Sequence, residues 1–135
     1  MDKNVYVIDG DAAIRDGLST LGELLGVEVH CYANAEDFLV QTGNLQGLPD
    51  SDACIICAEE LGGMNGLSLF KRLQRDELSL PFALVTSSRS ALIRNRARRA
   101  GVDQLVKKPR ADKALIEFIE QTTGATQGSS HRQEH

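Results

Sequence analysis

With 135 residues, the chain is long enough to bury one real core and has the usual size of a single domain. It has no apolar run of the ~18 residues that a membrane span needs, and Met1-Asp2-Lys3-Asn4 leads into a strand rather than a signal peptide, so a cytoplasmic protein is expected. Three cysteines give no disulfide framework, in keeping with a reducing compartment. The net charge of −4 hides an asymmetry: from Arg89 to Lys113 there are nine bases against Asp103 and Asp112, a net of +7, which leaves −11 for the rest. Such polarity suits a patch that meets an acidic partner, although a solvated helix face also produces charge runs.

Strand-length apolar runs alternate with stretches of helical period, the pattern of a parallel sheet covered by helices. Strands are expected near 4–8, 27–32, 52–57, 82–86 and 104–107. In the first helix Ile14, Leu18, Leu21 and Leu25 share a face, Asp11 is placed to cap the first turn, and Gly26 ends it. Asn34 is a cap for a short helix through Phe38 and Leu39, and Gly43 to Pro49 reads as a loop. A third helix is expected from about Leu67 to Arg75, burying Phe70 and Leu73. Pro81 opens the fourth strand, where a missing amide hydrogen does least harm. Ser87 or Ser88 is expected to cap a fourth helix that ends before Gly101, with Leu92, Ile93, Ala97 and Ala100 inward and the arginines in water. A fifth helix follows Pro109 and buries Leu115, Ile116 and Ile119. Residues 1–121 then form the domain, and 122–135, which lack apolar residues to bury, read as a flexible tail or a truncated linker.

Five βα units point to an α/β fold with a doubly wound, five-stranded parallel sheet of order 2-1-3-4-5, whose sites lie at the carboxyl ends of the strands. That arrangement gathers Asp9, Asp11, Ala58, Thr86 and Lys108. The stretches Val5-Tyr6-Val7-Ile8-Asp9-Gly10-Asp11, Cys54-Ile55-Ile56-Cys57-Ala58, Ala83-Leu84-Val85-Thr86-Ser87 and Leu105-Val106-Lys107-Lys108-Pro109 resemble the strand ends of bacterial response-regulator receiver domains, over roughly residues 4–121. The octet Tyr32-Ala33-Asn34-Ala35-Glu36-Asp37-Phe38-Leu39 is similar to receivers that precede a helix-turn-helix output domain.

The resemblance implies the flavodoxin-like receiver fold and a phosphorylation pocket in which a carboxylate attacks a phosphoryl donor, Mg²⁺ neutralises the phosphoryl oxygens, a hydroxyl receives the group and a lysine pairs with it. Asp9, Thr86 and Lys108-Pro109 stand in the family's places. Counting back from Asn65-Gly66 puts Ala58 where the nucleophilic aspartate would be, and Gly10 falls where a metal-binding acid would be. The reading is therefore a degenerate pocket of Asp9, Gly10, Asp11, Ala58, Glu59, Thr86 and Lys108, with no catalytic residue, no cofactor and, through Asp9 and Asp11, weak Mg²⁺ binding or none. The Lys108–Pro109 bond is expected to be cis, with Lys108 turned to Asp9 or Glu59.

Glu59 has two readings, a substitute for the aspartate or an exposed loop acid, and strand alternation favours the second. Asp11 likewise reads as a helix cap before it reads as a metal ligand. Leu61-Gly62-Gly63-Met64 replaces the family's stiffer Met-Pro loop, and Leu105 stands where many receivers carry an aromatic switch. The implied partner surface is the fourth helix, fifth strand and fifth helix, with Arg94, Arg98, Leu105 and Lys107, read by a sensor kinase, an output domain, a regulator or a second copy.

Other chemistries fare worse. Cys54-Ile55-Ile56-Cys57 sits in a strand, where residues three apart face opposite sides, whereas a redox C-x-x-C needs a helix start. The three histidines, His30 and two in the tail, leave no zinc ligand set or Ser-His pair, so an enzyme is not expected. The alternative is nucleic-acid binding, or a fragment of a DNA-linked transcriptional regulator, through the basic 89–113 segment.

Overall fold

The sequence supplies runs that are apolar on both faces, and such runs are satisfied only in a sheet covered on both sides. The computed structural model describes residues 3–49, 51–87, 90–108 and 112–124. Its strands are β1 (Asn4–Ile8), β2 (Glu28–Tyr32), β3 (Ala53–Ala58), β4 (Phe82–Thr86) and β5 (Gln104–Lys107). They alternate with α1 (Ala12–Leu25), α2 (Ala35–Gln41), α3 (Gly66–Arg75), α4 (Ala91–Ala100) and α5 (Asp112–Thr123). All pairings are parallel and the order is β2-β1-β3-β4-β5, as the sequence predicts.

Strand alternation divides the interior into two cores. Tyr6, Ile8, Ile55, Cys57, Phe82 and Leu84 point to one side, where α2 and α3 bring Phe38, Leu69 and Phe70. Val5, Val7, Cys54, Ile56, Ala83 and Val85 point to the other, where α1 and α5 bring Leu18, Leu25, Leu115, Phe118 and Ile119. The two strand cysteines thus lie on opposite faces. Burial pushes the Cys54 thiol up to about 11 and raises Cys57 as well, so both are inert packing thiols.

Helix ends follow the side chains that satisfy their unpaired amides. Asp11 accepts from the Ala13 amide, Asn34 from Asp37 and Asn65 from Ser68, while Gly26 and Gly101 close α1 and α4 in the left-handed region.

Three expectations are corrected. Ser90, not Ser87, caps α4, through its side chain to the Leu92 amide; Ser88 lies outside the described residues. That later start sets the helical phase so that Ile93, Ala97 and Ala100 form the inward stripe, and Leu92 is 55% exposed. In α5 the stripe passes through Leu115, Phe118 and Ile119, which leaves Ile116 half-buried at its edge. The helix itself runs through Thr123, and the Thr122 and Thr123 hydroxyls donate to the carbonyls of Phe118 and Ile119 one turn back.

Candidate functional site

The carboxyl ends of β1, β3, β4 and β5 set Asp9, Ala58, Thr86 and Lys108 along one edge of the sheet, the place where open α/β sheets bind ligands. Asp9 directly follows β1 and is only 4% exposed. One of its oxygens accepts the Asp11 amide at 2.9 Å and the other faces the Lys108 ammonium at 3.2 Å. A carboxylate this buried requires such partners. The expected turn of Lys108 to Asp9 is present; Pro109, and with it the expected cis bond, lies outside the described residues.

Ala58 ends β3 opposite Val85 of β4 and is 1% exposed. Next to it, Glu59 is 8% exposed and buried, which corrects the expectation of an exposed loop acid. It does point away from the Asp9 edge, as alternation requires: its carboxylate accepts the Leu67 amide at 3.1 Å in the first turn of α3. Desolvation raises its pKa, with Glu60 adding to the rise, while the Leu67 hydrogen bond and Arg96 oppose it. Gly66 makes this approach of α3 to β3 possible. A Cβ there would collide with the Ala58 carbonyl oxygen and stand 2.7 Å from Leu84 Cδ1.

Three further groups join the site without having been singled out from sequence. Glu60 turns back from the loop after β3 and accepts the Thr86 hydroxyl at 2.8 Å, although Thr86 itself is 2% exposed. Strand periodicity does not reach it, because β3 ends at Ala58 and the loop alone decides where residue 60 points. Arg15 of α1 donates to the Asp9 carbonyl at 2.8 Å. Glu36 of α2 accepts the Met64 amide at 2.8 Å, and this hydrogen bond is the main cause of its lowered pKa. No sequence signal announced the last two, because both depend on how helices dock.

Gly10 is exposed, and a Cβ there would meet only the Ala33 carbonyl oxygen at 3.7 Å, an ordinary contact. Asp11 is exposed and occupied as the α1 cap. Among the described residues no three His, Cys, Asp or Glu side chains converge as a metal site. His30 lies far from this edge chemistry, stacked on Tyr6 at 4.8 Å and bonded to Asn4. A cleft of about 350 Å³ runs from Asp9 and Lys108 between α1 and α5; its walls, including Leu21, Leu24 and Ile116, are chiefly aliphatic.

The proposed partner face is largely solvent-facing. Arg94, Arg98 and Lys107 are exposed, and Leu105 is half-buried against the α3 side of the core. No helix among the described residues is long and apolar enough to cross a membrane.

Comparison with known proteins agrees with this architecture. The family model described as the response regulator receiver domain matches residues 5–120. The chain is 31% identical over 117 residues to the transcriptional regulatory protein FixJ of Bradyrhizobium diazoefficiens, covering 87% of this chain and 55% of that protein. It is 26% identical over 130 residues to nodulation protein W of the same organism, covering 96% of this chain and 54% of that one. The chain thus spans about half the length of these relatives. Among solved structures, the response regulator StyR superposes with a TM-score of 0.77 at 25% identity, over 98% of this chain and 64% of that one.

Proposed function

Because the chain belongs to the response-regulator receiver family, the signalling modules of two-component systems, we propose that this member passes its signal by protein contact and without an aspartyl phosphate. The observation that carries this reading is Ala58, a buried methyl at the end of β3 where the phosphorylated carboxylate would have to stand. A methyl group has no lone pair with which to attack phosphorus. Neither neighbouring acid replaces it: Asp9 is held by Lys108 and the Asp11 amide, and Glu59 is turned to the start of α3.

The donor set does not fit a tight Mg²⁺ site either. That ion is held through one or two carboxylates together with waters and substrate oxygens. Here Asp9 is committed to an ammonium, Asp11 to a helix cap, and position 10 has no side chain.

What remains suited to function is the exposed face of α4 and β5, with Arg94, Arg98, Leu105 and Lys107. Receiver domains work with kinases and output domains, and a basic face of this kind suits an acidic surface on one of these or on a second copy. A second reading, nucleic-acid contact, is favoured by the four exposed arginines of α4, Arg94, Arg96, Arg98 and Arg99. Gel-shift titration with random DNA at low and moderate salt separates the two.

The deciding experiment for the main reading is incubation with acetyl phosphate and Mg²⁺ followed by intact-mass measurement. The mass should not change. An adduct of one phosphoryl group, mapped to Glu59, Glu60 or Asp9, would overturn it.

A further inference from the structure

The buried hydroxyl of Thr86 is the group in this pocket whose bonding partner bears most directly on signalling. It ends β4 one residue beyond Val85, the register partner of Ala58, and its backbone carbonyl accepts the Lys108 amide at 2.9 Å. Thr86 therefore joins three parts: the floor of the pocket, the end of β5 and the chain that leaves for α4. A phosphorylated side chain at position 58 would offer this hydroxyl anionic oxygen acceptors. In this chain an anionic oxygen is already there, on Glu60, at 2.8 Å.

The surrounding geometry keeps that carboxylate in place. Glu60 itself is exposed, in the loop just beyond β3, and only its carboxylate reaches in to the Thr86 hydroxyl. The loop beneath it is fixed at its far end. Glu36 accepts the Met64 amide, and Gly63 sits so close against Glu36 that a Cβ would collide with the carboxylate. Asn65 then caps α3, and the Gly66 amide returns to the Glu59 carbonyl. Lys108, the nearby ammonium, is committed to Asp9 and does not draw Glu60 away.

We propose that Glu60 is a standing acceptor for Thr86, taking the place of the acidic group that position 58 lacks and holding the end of β4 in one arrangement. The inference rests on the reading that the chain signals without aspartyl phosphorylation and supplies its missing part: a fixed conformation presented by α4 and β5. A charge-assisted hydrogen bond to a buried hydroxyl is of the stronger kind, so its loss should be measurable.

The test is a double-variant cycle on the whole chain by urea unfolding, with amide spectra recorded for each protein. Glu60→Ala and Thr86→Val should each raise the unfolding constant about tenfold, and the double variant should exceed Thr86→Val by less than about threefold. Glu60→Gln keeps an acceptor oxygen but loses the charge, and should fall between wild type and Glu60→Ala. Glu60→Ala and Thr86→Val should also move the same α4 and β5 amide signals, including those of Ile93, Ala97 and Leu105. Additive unfolding constants, or spectral changes confined to residues beside positions 60 and 86, would overturn the proposal. If Glu60→Ala does not fold, Glu60→Leu, which also lacks an acceptor but keeps the side-chain bulk, takes its place in the same comparison and is judged by the same outcomes. A phosphoryl adduct on the wild-type chain overturns the phosphorylation-independent reading instead, and leaves the outcome of this cycle to be judged separately.

Discussion

Rebuilding the missing carboxylates tests the account of the pocket most severely. Position 58 is 1% exposed, so Ala58→Asp places an ionisable group in a closed space beside Asp9, which is itself 4% exposed. The Lys108 ammonium that could neutralise it is already engaged at 3.2 Å by Asp9. Burial and like charge together raise the pKa of such a carboxyl, and at pH 7 the penalty should be about 2 to 3 kcal/mol. Gly10→Asp adds little strain of its own, since its Cβ meets only the Ala33 carbonyl at 3.7 Å. In metal-free buffer the double variant should therefore melt well below wild type. A folded-state pKa above the unfolded one makes the native protein hold the extra proton between the two values, so the deficit should shrink as the pH falls toward about 4. Mg²⁺ at about a hundred times its dissociation constant returns about 2.7 kcal/mol, worth about 10 °C in a domain of this size. Wild type, lacking both acids, should show almost no Mg²⁺ dependence. Calorimetry with and without Mg²⁺ reads this directly, and acetyl phosphate should label the double variant better than Ala58→Asp alone. Equal melting of the double variant in both buffers would refute the reasoning.

The other predictions address the supports of the site. Gly66→Ala should destabilise by about 3 kcal/mol in urea, because the new methyl meets the backbone of Ala58 and not a side chain able to move; a loss below about 0.5 kcal/mol would show that α3 can slide away. Glu59→Gln should be more stable than wild type at pH 8 and lose that advantage near pH 4. The raised pKa of Glu59 means that wild type loses stability as the pH rises from the unfolded value through the folded one, whereas the amide still accepts from Leu67 and does not titrate. Replacing Arg94 and Arg98, four apart on one side of α4, with glutamate should abolish self-association or partner capture while leaving the circular dichroism spectrum unchanged. Unchanged mass by light scattering together with an unchanged set of captured proteins would remove this face from the mechanism.

The sheet was legible in the sequence because β1, β3 and β4 are apolar on both faces and the helices between them carry clear stripes. Strand ends fell within a residue of their expected places for that reason. Helix caps were legible where one candidate stood alone, as at Asp11 and Asn34. They were not at α4, where Ser87, Ser88 and Ser90 offer the same chemistry and only the docking of Ala97 selects the last. Leu92 and Ile116 show the same limit in the helical phase: an apolar residue near a stripe is inward or outward according to a start point that the sequence does not mark.

The pocket divides along similar lines. The family resemblance left Lys108 two partners, Asp9 or Glu59, and its ammonium takes Asp9, reaching across the ends of β3 and β4. Glu59 and Glu60 could not be assigned by alternation alone, since β3 ends at Ala58 and the rule holds only while the chain stays extended. Beyond the strand it is the loop that brings the Glu60 carboxylate to Thr86. The hydrogen bonds of Gly66 and Leu67 to Glu59 meanwhile draw that residue inward toward α3 instead of out into water. The two adjacent acids thus have separate tasks, one joining β3 to α3 and the other joining the loop to β4. With a methyl at position 58, the loop carboxylates are the groups that accept from the start of α3 and from the end of β4, so the strand ends are tied together by residues that alternation alone does not assign.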